Sequence, residues 1–190
     1  MKITGKHVVL RDEKKENDSD DFFHWRNLGE WQYYDEPDET FESISREKYE
    51  QQRKERNQKT KPPILNSHTW QIDTLKGQHV GWVNYYQLDE QLGQAFVGIC
   101  LPEEGTWNKG YGTEALNLLI NYLFREIGLK KVKTATWTGN KRMVRCAEKC
   151  GFEKYILMPH RVEHSVRGEP LERIEFTLTC SEWLSRKTRE

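Results

Sequence analysis

The sequence predicts an α/β (α+β) fold: one mixed, mostly antiparallel sheet of about seven strands, flanked by helices. Two patterns predict it. Between His68 and Leu101, strand-like segments follow one another with only short polar turns between them, which gives an antiparallel meander. From Ala95 to Trp137 the order is apolar strand, glycine turn, apolar helix and alternating strand, which implies a right-handed crossover between parallel strands. A chain of 190 residues can bury a core without metals or disulfides, so residues 1–190 are expected to form one domain with one cleft.

The elements follow in order. Lys6 to Arg11 alternates and is β-branched, with Val8 and Leu10 on one face of a first strand. The acidic run Glu16 to Asp21 offers N-caps and a favourable first-turn charge for a helix carrying Phe22, Phe23, Trp25, Arg26 and Leu28, which Gly29 is expected to stop. In the loop after it, Trp31, Tyr33 and Tyr34 stand beside Asp35, Glu36 and Asp38. Such a loop is either a lip over a cleft, drawing a cationic ligand to ring faces and carboxylates, or a segment whose rings pack its own underside. Ser43 to Gln58 reads as a solvated surface helix of mixed charge, and Lys61, Pro62 and Pro63 as an extended connector. Strands over His68 to Leu75 and His79 to Leu88 are joined by the hairpin turn Lys76-Gly77-Gln78, and Gln94 to Leu101 follows a second polar turn.

The stretch Gly105 to Ile127 carries the most chemistry. Gly110 and Gly112 let the backbone bend and come close to a ligand, and the first N–H groups of the next helix have no partner inside it. Those amides, the helix dipole and Lys109 together favour an anion such as phosphate, although an ordinary glycine turn carries the same short motif. The helix has one narrow polar stripe, Glu114, Asn117, Asn121 and Arg125, so it is expected to be mostly buried, with Gly128 ending it. Lys131 to Trp137 alternates as a strand. Asn140 can cap a second helix that runs to Cys150 and closes at Gly151, with Met143, Cys146, Ala147 and Cys150 on its core side. Phe152 to Met158 and Leu171 to Cys180 read as the last strands, separated by the polar run His160 to Gly168, and Ser181 is expected to cap a short tail holding Trp183.

Composition narrows the function classes. Thirty basic residues balance thirty acidic ones, which argues against a nucleic-acid or membrane partner. The N-terminus is too polar for a signal peptide and no segment is long and apolar enough to span a bilayer, so a cytoplasmic protein is expected. Cys100, Cys146, Cys150 and Cys180 lack a Cys-x-x-Cys and sit in apolar surroundings, as reduced thiols do. Cys146 and Cys150 with His160 and His164 fit core packing better than zinc, and no metal is expected.

Two segments in register, Trp107-Asn108-Lys109-Gly110-Tyr111-Gly112-Thr113-Glu114-Ala115 and Asn140 to Phe152, resemble the GNAT acetyltransferases, especially the ribosomal-protein alanine acetyltransferase branch. The likeness extends to the early Val-Leu-Arg-Asp, to Gly81-Trp82-Val83 and to Gly168 through Trp183, and so covers essentially the whole chain. The resemblance implies acetyl transfer from acetyl-CoA to an amine, in a cleft where two parallel strands splay apart. By that resemblance the CoA pyrophosphate rests on the amides of Asn108, Lys109, Gly110, Tyr111, Gly112 and Thr113. The pantetheine arm pairs with the backbone of Gly98, Ile99, Cys100 and Leu101, and Asn140 bonds the arm near the thioester. Trp107 stands where many members have Arg or Gln, though this branch often has Trp; the donors are mainly backbone, so the phosphate site survives.

The catalytic groups depart from the family. Many relatives carry Glu two residues before the strand glycine and Tyr in the second motif; here those places hold Phe96 and Ala147. Glu103 is the candidate base, against its reading as an exposed loop acid, and Cys146 is a candidate acid, against simple packing. Water or Tyr85 is the alternative proton carrier. Trp31, Tyr33, Tyr34, Asp35 and Tyr85 are the candidate acceptor contacts. The expected acceptor is a primary amine, on a small molecule or a protein N-terminus, and a homodimer is compatible with the sequence. Because Glu and Tyr are missing, an acyl-CoA sensor without turnover stands as the competing function.

Overall fold

The protein is described by a computed structural model covering residues 1–58, 68–163 and 165–188. The expected connector at Lys61 to Pro63 and His164 fall outside the described residues. One eight-stranded sheet has the order β1-β2-β3-β4-β5-β6-β8-β7. Its strands are β1 (Lys2–Thr4), β2 (Val8–Arg11), β3 (His68–Thr74), β4 (His79–Asp89), β5 (Gln94–Cys100), β6 (Lys131–Trp137), β7 (Lys154–Val162) and β8 (Leu171–Thr179). The helices are α1 (Asp18–Arg26), α2 (Gly29–Tyr33), α3 (Arg46–Gln58), α4 (Tyr111–Arg125), α5 (Lys141–Cys150) and α6 (Cys180–Lys187). Every pair of neighbouring strands is antiparallel except β5 and β6. The meander and the crossover are therefore both present, and the eighth strand is β1, a short edge segment too polar to register in the sequence.

The core lies between the sheet and α4. Leu116, Leu119, Ile120 and Leu123 of α4 are fully buried against Val8, Leu10, Ile72, Val83, Val97 and Val132, which are themselves fully buried. Apolar residues on most sides of α4 are what the narrow polar stripe predicted. A second layer, α1 and α2, covers the other face through aromatic rings. Trp82 on β4 meets Phe22 at 5.3 Å, Trp25 at 5.9 Å and Trp31 at 5.7 Å between ring centroids.

Several boundaries differ from expectation for local reasons. Gly29 starts α2 rather than ending a helix, so Trp31 and Tyr33 are helical. α4 stops at Arg125, leaving Ile127 40% exposed ahead of Gly128, whose φ is 78°. α6 is capped by Thr179, not Ser181: Thr179 and Glu182 form a reciprocal capping box. One tie was missed altogether. Glu114 leaves the first turn of α4 to accept from the backbone N–H of His7 at 2.8 Å and lies 2.8 Å from its Nδ1, pinning β2 onto α4. Gly5 makes room for it, because a Cβ there would stand 2.2 Å from Glu114 Oε1.

Beneath α1 lies a buried charge cluster. Arg11 is 1% exposed and donates to both oxygens of Asp18, at 2.9 and 2.6 Å, and to Asp73 at 2.9 Å. Among the described residues, Asp18, Asp21 and His79 come close enough to share a cation. Asp18 is already paired with Arg11, and His79 Nδ1 lies 2.8 Å from Asp21, so the cluster reads as a structural ion-pair network.

Candidate active site

The glycine turn has the geometry an anion needs. Asn108 has φ 60° and Gly110 φ 84°, two left-handed residues on either side of Lys109, just ahead of α4. Asn tolerates this region and Gly enters it without cost. No side chain caps α4, so the first amides of the helix have no side-chain partner among the described residues. Nothing lies within 4 Å of the place a Gly110 Cβ would take. Gly112 plays a different part: its position faces inward, with Ile99 Cδ1 and Leu101 Cδ1 each 3.5 Å away. A groove of about 730 Å³ opens beside the turn and runs along the polar stripe of α4, with Lys109, Lys149, Arg186 and Lys187 among its lining residues.

The turn is braced from behind. Trp107 donates its indole N–H to the Leu101 carbonyl at 2.6 Å, and the Arg142 guanidinium lies 3.7 Å from the Trp107 ring centroid and 4.5 Å from that of Tyr34. Cys146 receives the Thr113 hydroxyl at 3.7 Å, and the Cys150 thiol approaches the Thr113 carbonyl at 3.5 Å. Cys146 thus packs behind the glycine turn, and the contact with Cys146, followed by burial, pushes the neighbouring Cys150 thiol up. Asn140 spends its carboxamide oxygen on the Met143 N–H at 3.0 Å as the cap of α5, which leaves its amide N–H groups for a ligand.

Beside the cradle the sheet opens. β5 and β6 pair from Gln94↔Lys131 to Phe96↔Lys133 and no further, while β6 stays paired with β8 through Trp137↔Arg173. Beyond Phe96, the edge of β5 that faces β6 is therefore unpaired as far as Cys100, the condition an added extended chain requires. The Lys133 ammonium sits 5.4 Å from the Phe96 ring centroid at the closed end of this gap.

Register sorts the side chains around the gap. Cross-strand partners share a face, so Trp82, Asn84 and Tyr86 of β4 line up with Cys100, Gly98 and Phe96 of β5 on the side covered by α1 and α2. Gly98 leaves room there for Asn84, since a Cβ would stand 2.7 Å from Asn84 Oδ1 and push that side chain aside. Tyr85 falls on the opposite face, 6.1 Å from the His68 ring and packed into the α4 core. Alternation in β4 thus brings Tyr86, and not the candidate Tyr85, to the open face, where it stacks on Phe96 at 5.5 Å.

Asp35, just after α2, reaches the same gap. Its carbonyl accepts from Trp137 Nε1 at the end of β6, at 3.0 Å. Burial, followed by the Asp35 charge, pushes the Cys100 thiol well up, and burial likewise raises Tyr86. Burial also raises the Asp35 carboxyl, against the pull of Arg173.

The aromatic lip is closed by the protein's own cations. Tyr33 is 6% exposed and donates to Glu169; Arg167 lies 3.8 Å from the Tyr33 ring and 5.6 Å from that of Tyr34, and pairs with Glu30 at 2.6 Å. Tyr33 and Tyr34 therefore present their faces to Arg167 and Arg142. Trp31 packs on Trp82 and donates to the Trp25 carbonyl at 2.7 Å. Of the two readings of this loop, the rings follow the packed one and Asp35 the cleft one. Glu103 is held by Trp25 Nε1 at 2.9 Å in the aromatic layer under α1.

The comparisons agree with this geometry. The family model described as Acetyltransferase (GNAT) domain matches residues 7–153. The human alpha/beta-tubulin-N-acetyltransferase 9 is 27% identical over 129 residues, covering 66% of this chain and 59% of that protein. An aminoglycoside N(6')-acetyltransferase type 1 from Klebsiella pneumoniae is 30% identical over 105 residues, 49% of this chain and 52% of the relative. The chain thus spans between half and six tenths of the length of these relatives. In fold it is similar to the spermidine N-acetyltransferase from Vibrio cholerae solved with CoA and spermine, with TM-score 0.68 and 18% identity over 93% of this chain and 98% of that one. With the crossover, the splayed strands and the left-handed glycine turn in place, the chain belongs to the GNAT acetyltransferase family.

Proposed function

We propose that the protein transfers an acetyl group from acetyl-CoA to a primary amine. The observation that carries this reading is the adjacency of the uncapped, left-handed turn at Asn108 to Gly110 and the unpaired edge of β5. The diphosphate of CoA takes the amides of the turn, and the pantetheine arm pairs with Gly98 to Cys100, so the thioester comes to lie over the gap. The Leu101 carbonyl already serves Trp107, so pairing of the arm centres on the residues before it. The basic groove along α4 takes the phosphate-bearing nucleotide end, drawn by Lys109, Lys149, Arg186 and Lys187. Backbone N–H groups of the open strand polarise the thioester carbonyl where negative charge develops.

The acceptor enters between Asp35, Tyr86 and the end of β6. Its mouth is narrowed by the clasp of α2 onto the β7–β8 turn: Arg167 to Glu30 at 2.6 Å and Val166 N–H to the Pro37 carbonyl at 2.8 Å. A slender cationic amine fits this opening, as a polyamine, an aminoglycoside side arm or the first residue of a protein. The relatives include enzymes named for aminoglycoside, tubulin and spermidine acetylation, and the motifs at Trp107 and Asn140 resemble the ribosomal-protein alanine acetyltransferases. The test is release of free thiol from acetyl-CoA with spermidine, an aminoglycoside and peptides with free α-amines. Thiol release with an acetylated amine as product supports the proposal. Tight CoA binding with no transfer to any amine overturns it in favour of a sensor, the reading that Phe96 and Ala147 favour.

A further inference from the structure

The carboxylates around the gap differ in what they are already doing. Glu175 on β8 pairs with Lys133 at 3.2 Å, Glu30 pairs with Arg167, and Glu103 accepts from Trp25. Each is committed to a protein donor. Asp35 is not: its carboxylate accepts no hydrogen bond from the described residues, and Arg173 is the cation that acts on it. Its backbone is nonetheless fixed from both sides, because its N–H donates to the Gln32 carbonyl at 3.0 Å and its carbonyl accepts from Trp137 at 3.0 Å. Asp35 as a residue is exposed at the mouth, but its carboxyl lies deep enough for burial to raise it, and its charge acts on Cys100 of β5, Tyr86 of β4 and its neighbour Glu36. A fixed backbone with an uncommitted carboxylate at the end of both splayed strands is what proton abstraction needs.

We propose that Asp35 is the general base of the transfer. This rests on the acetyl-transfer reading above and names a residue for it. The acceptor arrives as an ammonium and gives one proton to the Asp35 carboxylate, which frees the nitrogen lone pair. That pair forms the N–C bond at the thioester carbonyl, whose electrons move onto oxygen. Collapse of the tetrahedral intermediate breaks the C–S bond, CoA leaves as the thiolate, and the second proton shed by the nitrogen passes through water to the sulfur. Asp35 returns its proton to solvent. The crowding that raises the Asp35 carboxyl makes it a stronger base than a free aspartate, and Arg173, Glu36, Cys100 and Tyr86 are the titratable or charged groups facing it.

The test compares wild type, Asp35→Asn and Asp35→Glu with the amine that gives the fastest thiol release, over a range of pH, with CoA affinity measured alongside by calorimetry. Asp35→Asn is expected to lower kcat by about 100-fold or more. CoA affinity and the thermal midpoint should hold, since the carboxylate makes no hydrogen bond to the described residues. The acidic limb of the wild-type kcat/KM profile should vanish in Asp35→Asn and return, displaced, in Asp35→Glu. A kcat that is unchanged with the acidic limb intact, or a rise confined to the KM of the amine, overturns the assignment while leaving acetyl transfer standing. Absence of thiol release by wild type with every amine overturns both.

Discussion

Gly110→Ala and Gly112→Ala should part company, although both glycines belong to one motif. Gly110 holds φ 84° with nothing within 4 Å of its missing Cβ, so its substitution meets no clash and pays only for the left-handed backbone. That strain is worth about 1–2 kcal/mol for an L-residue. The reduced freedom of the unfolded chain offsets about 0.4–1 kcal/mol. A net loss of roughly 1 kcal/mol in stability follows, if the turn keeps its shape. If the turn relaxes instead, the amides of Lys109 to Gly112 turn away from the diphosphate, and CoA binding weakens by about tenfold, or roughly 1.4 kcal/mol. Gly112→Ala puts its Cβ at ordinary contact distance, 3.5 Å, from Ile99 and Leu101 inside a helix. It should be neutral or gain about 0.5–1 kcal/mol from helix preference. Urea unfolding with and without CoA, and calorimetric titration of CoA, read both effects. A Gly110→Ala protein as stable and as tightly binding as wild type, beside a damaged Gly112→Ala protein, would refute the reasoning.

Three further outcomes are expected. Arg11→Ala leaves Asp18 and Asp73 buried without their guanidinium and should cost about 3–5 kcal/mol in urea unfolding, enough to threaten folding. Glu114→Gln should cost about 1 kcal/mol at neutral pH. Burial acts to raise the Glu114 carboxyl, but the N–H groups of His7 and Val8 and the His7 ring hold it below the ordinary value. That stabilisation is present above the unfolded carboxylate pKa and is lost as pH falls through the lowered folded one, so wild type and Glu114→Gln should converge in acid unfolding. Trp107→Phe keeps a ring for Arg142 but removes the 2.6 Å bond to the Leu101 carbonyl; it should lower CoA affinity more than it lowers the thermal midpoint.

The fold was legible in the chain because it is written in local signals. The alternation of Val8 and Leu10, the apolar face of α4 and the strand–turn–helix–strand order depend on neighbours in sequence, and so does the glycine turn. Gly110 is a φ requirement and shows as a glycine. The acceptor side depends on which face each strand turns to the gap, and one residue of register puts Tyr86, not Tyr85, on the face shared with Phe96. The aromatic lip was visible as composition, but that Arg142 and Arg167 fill its rings comes from segments over 100 residues away. Asp35 was marked as a cleft residue through its cationic-acceptor chemistry; that no donor among the described residues holds it shows only when Glu103, Glu30 and Glu175 are seen with theirs. The Glu114 tie to His7 spans 107 residues and had no local mark beyond Gly5.

The central claim is that the turn from Asn108 to Thr113 holds the diphosphate of CoA. Parallel calorimetric titration with CoA and with pantetheine, which shares the arm that pairs with β5 and lacks the phosphates, tests it most directly. The structure predicts that CoA binds at least about 100-fold more tightly and that this advantage shrinks as salt screens the lysines of the groove. Equal affinity for the two ligands, or an advantage for CoA that salt leaves untouched, would contradict the account.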